Sequence, residues 1–362
     1  MNFVSCFAVE KDKIPAKLSQ AMFKHHDFMH DVFDDAFLWN TPHVDVFTAG
    51  FPCQSFSAAG LQMGLFDHRG IVVLRIIMWI CLKKPKVFIL ENVEGLVTRF
   101  FDVLCLILEL LGGILLMNGT KAYSVVWRVL NSRKEGGVPQ NRPRVFIVGV
   151  RVDIMASPFT WPEPLHCRPL IEFLDGHGTL EGHKHLPGRL PTAPAAARKL
   201  VCIFEKITQR TGLHPLHSHF VASIGAARAH FMLGASPCIT RGRGGSGGHW
   251  LTSKQRFMSI DEILRLQGVQ DPGRIPRGTC TERQLGMVAG NAITVDLFAR
   301  VLHNALLAAG LSQQPADGAG HPSEREDKET SIPHKNYSAP ETHQRKPHRP
   351  PSTLVPPKTE LP

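Results

Sequence analysis

Residues 44–54 read Val44-Asp45-Val46-Phe47-Thr48-Ala49-Gly50-Phe51-Pro52-Cys53-Gln54, and this stretch decides the fold class. The first seven residues, with β-branched and aromatic side chains, predict a strand. Phe51-Pro52 then ends it, because proline cannot donate to a ladder. Working outward, Gly70–Leu82 is an apolar helical run, Lys86–Leu90 a buried strand and Asp102–Leu111 a second helix; Tyr123–Leu130 and Arg144–Val150 are further strands. Strand–helix–strand alternation at this spacing predicts a mostly parallel α/β sheet. Chemistry in such sheets gathers in loops at the carboxyl ends of strands. Pro52-Cys53-Gln54 and Glu91-Asn92-Val93 are therefore the first candidate loops.

Beyond this core the periodicity fades. Residues 157–248 are rich in Pro, Gly and His and include Arg241-Gly242-Arg243-Gly244-Gly245-Ser246-Gly247-Gly248, which predicts a smaller irregular domain with long loops. Its histidines (His166, His183, His185, His214, His217, His219) lack a ligand spacing, so no metal site is expected. Order returns at Ser259, which with Glu262 forms a candidate capping box for a helix through Leu266, stopped by Gly268. Thr281 and Gln284 cap the next helix, and Thr294–Ala309 is a long amphipathic one. After Gly310 almost nothing remains to bury, which predicts a disordered tail. The expected organisation is an α/β domain over 1–156, the smaller domain over 157–257, helices returning to the first domain over 258–310, and the tail over 311–362.

With 362 residues, 43% hydrophobic and 20% charged, the composition is that of an ordinary globular protein. The most apolar runs, Ile71–Leu82 and Val103–Met117, are shorter than a bilayer requires and carry Arg75 and Glu109. Both read as buried helices, not spans. The first residues, with Ser5, Glu10, Lys11 and Asp12, have no basic-then-apolar leader pattern. None of the 8 cysteines falls in a C-x-x-C pair, so reduced thiols in an intracellular, monomeric protein are expected, with Cys81 and Cys105 in the core. That compartment is the nucleus in a eukaryote or the cytoplasm in a prokaryote. A net charge of +10 favours a polyanionic partner. Residues 151–257 hold 13 Lys/Arg against 6 Asp/Glu, whereas 311–362 hold 7 of each. The basic excess therefore belongs to the middle of the chain.

Four segments taken in order narrow the function. They are Gly50-Phe51-Pro52-Cys53-Gln54-Ser55-Phe56-Ser57, Glu91-Asn92-Val93, Gly137-Val138-Pro139-Gln140-Asn141-Arg142-Pro143-Arg144 and Gly290-Asn291-Ala292. Together they resemble the cytosine-C5 DNA methyltransferase family across roughly residues 8–310, with gaps. The resemblance implies a Rossmann-like, S-adenosylmethionine-dependent methyltransferase sheet, with the smaller domain as a target-recognition domain on double-stranded DNA. The family opens with a strand and a Gly-rich loop that this chain does not show after Met1, so a sheet without its first strand is expected.

The chemistry explains the residue types. Cytosine C5 is too weak a nucleophile to take a methyl group directly, and a thiolate added at C6 turns the ring into an enamine that can. Cysteine is both a strong nucleophile and a competent leaving group. Cys53 holds the nucleophile position of the family. Glu91 holds that of the acid that relieves the ring at N3, a role a desolvated carboxyl can fill near neutral pH. Arg142 and Arg144 match the family's arginine pair, suited to the cytosine carbonyl and a nearby phosphate. For the cofactor the resemblance implies Glu10 at the ribose hydroxyls and Asp31 at the adenine amino group, with Pro52 and Asn291 completing the pocket. Gln140, Arg241 and Arg243 are the expected DNA contacts. The target base lies inside the stack and must be flipped out. Two alternatives keep the fold: a homologue that binds DNA or a partner without catalysis, and a methyltransferase acting on RNA cytosine.

Overall fold

The structure, a computed structural model, describes residues 3–52, 68–176, 190–225, 230–244 and 248–312. Cys53, His183, His185 and the tail from 313 onward lie outside the described residues, and the expectation of tail disorder lies there with them. The chain opens with β1 (Ser5–Val9), α1 (Lys13–Met22) and β2 (His25–Met29), a parallel pair joined by a helix. Asp12 starts α1 by accepting a hydrogen bond from Ile14 N at 3.3 Å. Next come α2 (Asp35–Trp39), β3 (Val46–Gly50), α3 (His68–Lys83), β4 (Val87–Val93), α4 (Gly95–Thr98), α5 (Phe101–Gly112), β5 (Tyr123–Asn131), β6 (Gln140–Asn141) and β7 (Pro143–Arg151).

These strands form a four-stranded sheet of order β3-β4-β7-β5 beside the separate pair β1-β2. Strand β3 runs parallel to β4, but β7 is antiparallel to both β4 and β5. The sheet is therefore mixed, where a mostly parallel one was expected. The stretch between β5 and β7 is too short for a crossover helix, so the chain must reverse. Glu91 and Asn92 pair with Phe146 and Val145 and so end a strand, not a loop. The strands β1 and β2 stand as their own sheet, and β3 is an edge of the larger one.

Helices cover both faces of the larger sheet, the arrangement of an α/β domain. On one face Phe88 and Leu90 pack with Trp79 and Ile80 of α3 and with Leu104 and Ile107 of α5. Trp79 stacks on Phe47 with ring centroids 4.3 Å apart and donates its Nε1–H to Thr41 Oγ1 at 2.7 Å. On the other face Val87, Ile89, Phe146 and Val148 meet Leu297, Val301 and Ala305. Cys81 and Cys105 are exposed, which corrects the expectation that both are core. Each directly follows a fully buried residue, Ile80 or Leu104, and the helical turn carries it away from the sheet.

The middle of the chain is more ordered than its sequence suggests. It contains α6 (Pro194–Thr211), β8 (Phe220–Ser223), β9 (His230–Leu233), β10 (Ser236–Pro237), α7 (Arg241–Gly244), β11 (His249–Leu251) and β12 (Arg256–Phe257). An antiparallel sheet of order β12-β11-β8-β9 carries α6 on one face, where Leu200, Ile203 and Ile207 pack on Phe220, Ala222 and Trp250. Its other face, through Val221 and Leu251, joins Val138, Ile263 and Leu285 in one cluster. All described residues belong to a compact unit spanning Met1–Gln314. The last elements are α8 (Ile260–Arg265), α9 (Glu282–Asn291) and α10 (Val295–Ala308). Both capping boxes form as expected, Ser259 with Glu262 and Thr281 with Gln284, and Gly268 adopts φ +85°.

Candidate active site

Glu91 lies near the carboxyl end of β4, directly beside Gly50 of β3. Its Oε2 would stand 3.5 Å from a Cβ built on Gly50, so the carboxyl rests against the end of the strand that leads to Cys53. Cys53 itself is outside the described residues. Glu91 is 8% exposed, and burial raises its pKa above the ordinary carboxylate value although two arginines oppose the shift. Asn92 fixes the adjoining turn by donating Nδ2–H to Phe51 O at 3.2 Å.

The two arginines of β7 and its approach have different surroundings. Arg144 Nε sits 3.1 Å from Glu91 Oε1, an ion pair at the strand ends. Arg142 is 1% exposed and donates to Ile239 O at 2.6 Å, Gly290 O at 3.2 Å and Ala292 O at 2.6 Å. Its guanidinium thus ties β7 to the segment before α7 and to the end of α9. Gln140 is equally enclosed, donating to Leu266 O at 2.7 Å and accepting from Ile239 N at 3.1 Å. In this structure both side chains hold backbone, and neither faces solvent where DNA could approach.

Glu10, Asp31, Gly50 and Pro52 line one cavity of about 1170 Å³. Burial raises the Glu10 pKa, while Asp12 N donates to its Oε1 at 2.8 Å. Lys11 Nζ bonds Asp31 Oδ2 at 2.7 Å. Two carboxylates lining one cavity can accept the hydroxyl and amino donors of a nucleoside, and apolar walls such as Phe7, Phe37 and Phe298 can cover its ring. These residues fit an adenosine-bearing cofactor. Asn291 does not line this cavity. It faces a separate one of about 30 Å³, together with Asp12 and Arg241.

Arg241 and Arg243 begin a short helix, not an open loop. A Cβ on Gly244 would lie 1.9 Å from Gly286 O, and one on Gly290 would lie 2.3 Å from the Thr240 carbonyl carbon. The glycines of Gly290-Asn291 and of the Gly-rich run therefore let α7 rest backbone-to-backbone on α9. Arg241 is paired with Asp12 at 2.7 Å. Asp12 and Asn92 were missed from sequence. Asn92 follows Glu91 in a quoted motif and could have been read as its support, whereas the Asp12 contact joins residues too far apart in sequence for any local pattern.

Comparison with known proteins gives the family and the fold. The chain is 32% identical over 301 residues to the Type II methyltransferase M.NgoBI of Neisseria gonorrhoeae, spanning 81% of this chain and 83% of that one. Its fold is similar to a crystal structure of a putative DNA modification methyltransferase encoded within a prophage of E. coli, with a TM-score of 0.54, 17% identity, and coverage of 83% and 91%. It is also similar to S. pombe Dnmt2 methyltransferase, with a TM-score of 0.50, 14% identity, and coverage of 84% and 91%. At those identities the two structures speak for the fold alone. The family match runs over residues 1–306, and it makes this chain a member of the C-5 cytosine-specific DNA methylases, enzymes that methylate DNA at cytosine C5 from S-adenosylmethionine.

Proposed function

We propose that the protein acts on a cytosine turned out of double-stranded DNA, with Cys53 as nucleophile, Glu91 as acid and Arg144 as carbonyl clamp. One observation carries this reading: Gly50, three residues before Cys53, pairs in register with Glu91, whose carboxyl is buried and bonded to Arg144. The Cys53 thiolate forms a bond to C6 while Glu91 gives its proton to N3, so the electron pair of the C5–C6 bond gathers at C5. S-adenosylmethionine, when bound, would supply the electrophilic methyl group and leave as S-adenosylhomocysteine. Loss of the C5 proton to a base then expels Cys53 and restores the ring double bond, and the N3 proton returns to Glu91. Arg144 bonds the ring carbonyl and any negative charge that develops there.

Glu10, Asp31 and Pro52 hold the cofactor in the large cavity. Asn291, at the end of α9, lines the smaller cavity with Asp12 and Arg241 and is not assigned to the cofactor. Arg142 and Gln140 serve as positioning residues that hold the segment before α7 and the end of α9. Residues 157–257 form the target-recognition domain, with Arg241 and Arg243 at the phosphates. The protein works inside the cell as a monomer. Supplied with labelled S-adenosylmethionine, it should methylate duplex DNA and leave transfer RNA unlabelled. Label on the RNA alone would overturn the choice of substrate.

A further inference from the structure

Asp12 bonds both Glu10, which lines the cofactor cavity, and Arg241 of the recognition domain, and the mechanism above does not use it. Asp12 donates its backbone N–H to Glu10 Oε1 at 2.8 Å. Its Oδ2 meets Arg241 Nη2 at 2.7 Å, and its Oδ1 caps α1 through Ile14 N. The two side chains of the pair are 34% and 40% exposed, so the contact is half open to solvent. The backbone that carries Arg241 is fixed, because α7 rests on α9 through Gly244 and Gly290 with no room for a methyl group. Only the guanidinium has freedom to lose, and Asp12 decides where it stands.

We propose that Asp12 is a positioning residue that couples occupancy of the Glu10 pocket to DNA binding at Arg241. The inference rests on the assignment of Glu10 to the cofactor and Arg241 to DNA. A ligand held by Glu10 orders the turn over residues 10–12, and the ordered Asp12 carboxylate holds Arg241 in one rotamer. A guanidinium already held loses less side-chain entropy when a phosphate arrives. Its fork of donors serves a carboxylate on one edge and a phosphate on another. Linkage then requires DNA to tighten the pocket by the same factor. Since half-exposed ion pairs transmit little, that factor is about fivefold or less.

The test uses the full chain, S-adenosylhomocysteine as the pocket ligand and sonicated genomic DNA, with affinity read by calorimetry. For the wild type, DNA should lower the Kd of S-adenosylhomocysteine by roughly two- to fivefold, an effect that fades at about 1 M salt. Asp12→Asn keeps a good helix cap but loses the charge, and there the ratio of Kd without and with DNA should fall to about one. Arg241→Gln should give the same ratio, and the double variant should lose nothing more. Because the readout is a ratio within each protein, a merely structural loss in either affinity cancels. A wild-type ratio of one, or an unchanged ratio in Asp12→Asn, would overturn the coupling and leave the pocket standing. Failure of the wild type to bind S-adenosylhomocysteine, with DNA still bound, would remove the pocket assignment and the coupling together.

Discussion

Glu91 shows how burial acts on a carboxyl group. Its folded pKa lies above the unfolded value because burial outweighs Arg144 and Arg142. Folding therefore favours the protonated form more than the unfolded chain does, and any stability this adds is present below the unfolded pKa and lost as pH rises through the folded one. If Glu91 delivers the N3 proton, Glu91→Gln should lower kcat by about 10²–10⁴-fold. It should also flatten the alkaline fall in kcat/KM; an alkaline limb unchanged in Glu91→Gln would assign that limb elsewhere. His249 is the opposite case, buried and held down to about 4 by desolvation and by Arg243. The unfolded state takes up a proton first, so stability should fall by about 3 kcal/mol as pH drops from the unfolded value of 6.5 to 4. Urea titrations across that range measure the loss, and His249→Phe should reduce its slope. The meeting of Glu91 and Arg144 could be anticipated because each sits in a contiguous motif, whereas Cys53 lies outside the described residues. The enclosure of Arg142 and Gln140 was not, because their partners lie on segments about a hundred residues or more away.

At the scale of elements, the short helix α7 stays in place only because two glycines remove the side chains between backbones. Gly290→Ala puts a methyl group against the Thr240 carbonyl, and backbone cannot yield as a flexible side chain would. Overpacking of this kind costs about 1–3 kcal/mol. The expected result is a lower urea midpoint with an unchanged m-value, and a midpoint equal to wild type would mean that α7 can lift off α9 freely. The sequence carried most of the catalytic sheet, since strands β3, β4, β5 and β7 and helices α3 and α5 appear within a few residues of their expected bounds. Both capping boxes were legible for the same reason, being patterns four residues long. The middle of the chain was harder. Leu200, Ile203 and Ile207 do repeat at helical spacing, but strands of two to four residues are too short for alternation to register. The antiparallel β7 was hidden because strand direction follows from connections and not from composition.

For the molecule as a whole, two features stand out: the basic excess in residues 151–257 and the meeting of strand ends beside a large cavity. The charge was visible in sequence, and so was the set of strands that bring the motifs together. The cavity was not, because it depends on how the β1–β2 pair stands against β3. Its size exceeds the roughly 300–1,000 Å³ usual for small-molecule pockets, leaving room beyond an adenosine. The most direct test of the account is trapping of the enzyme–base bond. With S-adenosylmethionine and duplex DNA containing 5-fluorocytosine, the fluorine cannot leave as a proton does, so the thioether should persist. A denaturation-resistant protein–DNA band is expected for the wild type and should vanish in Cys53→Ser. No band for the wild type, or one that survives in Cys53→Ser, would contradict Cys53 as the nucleophile.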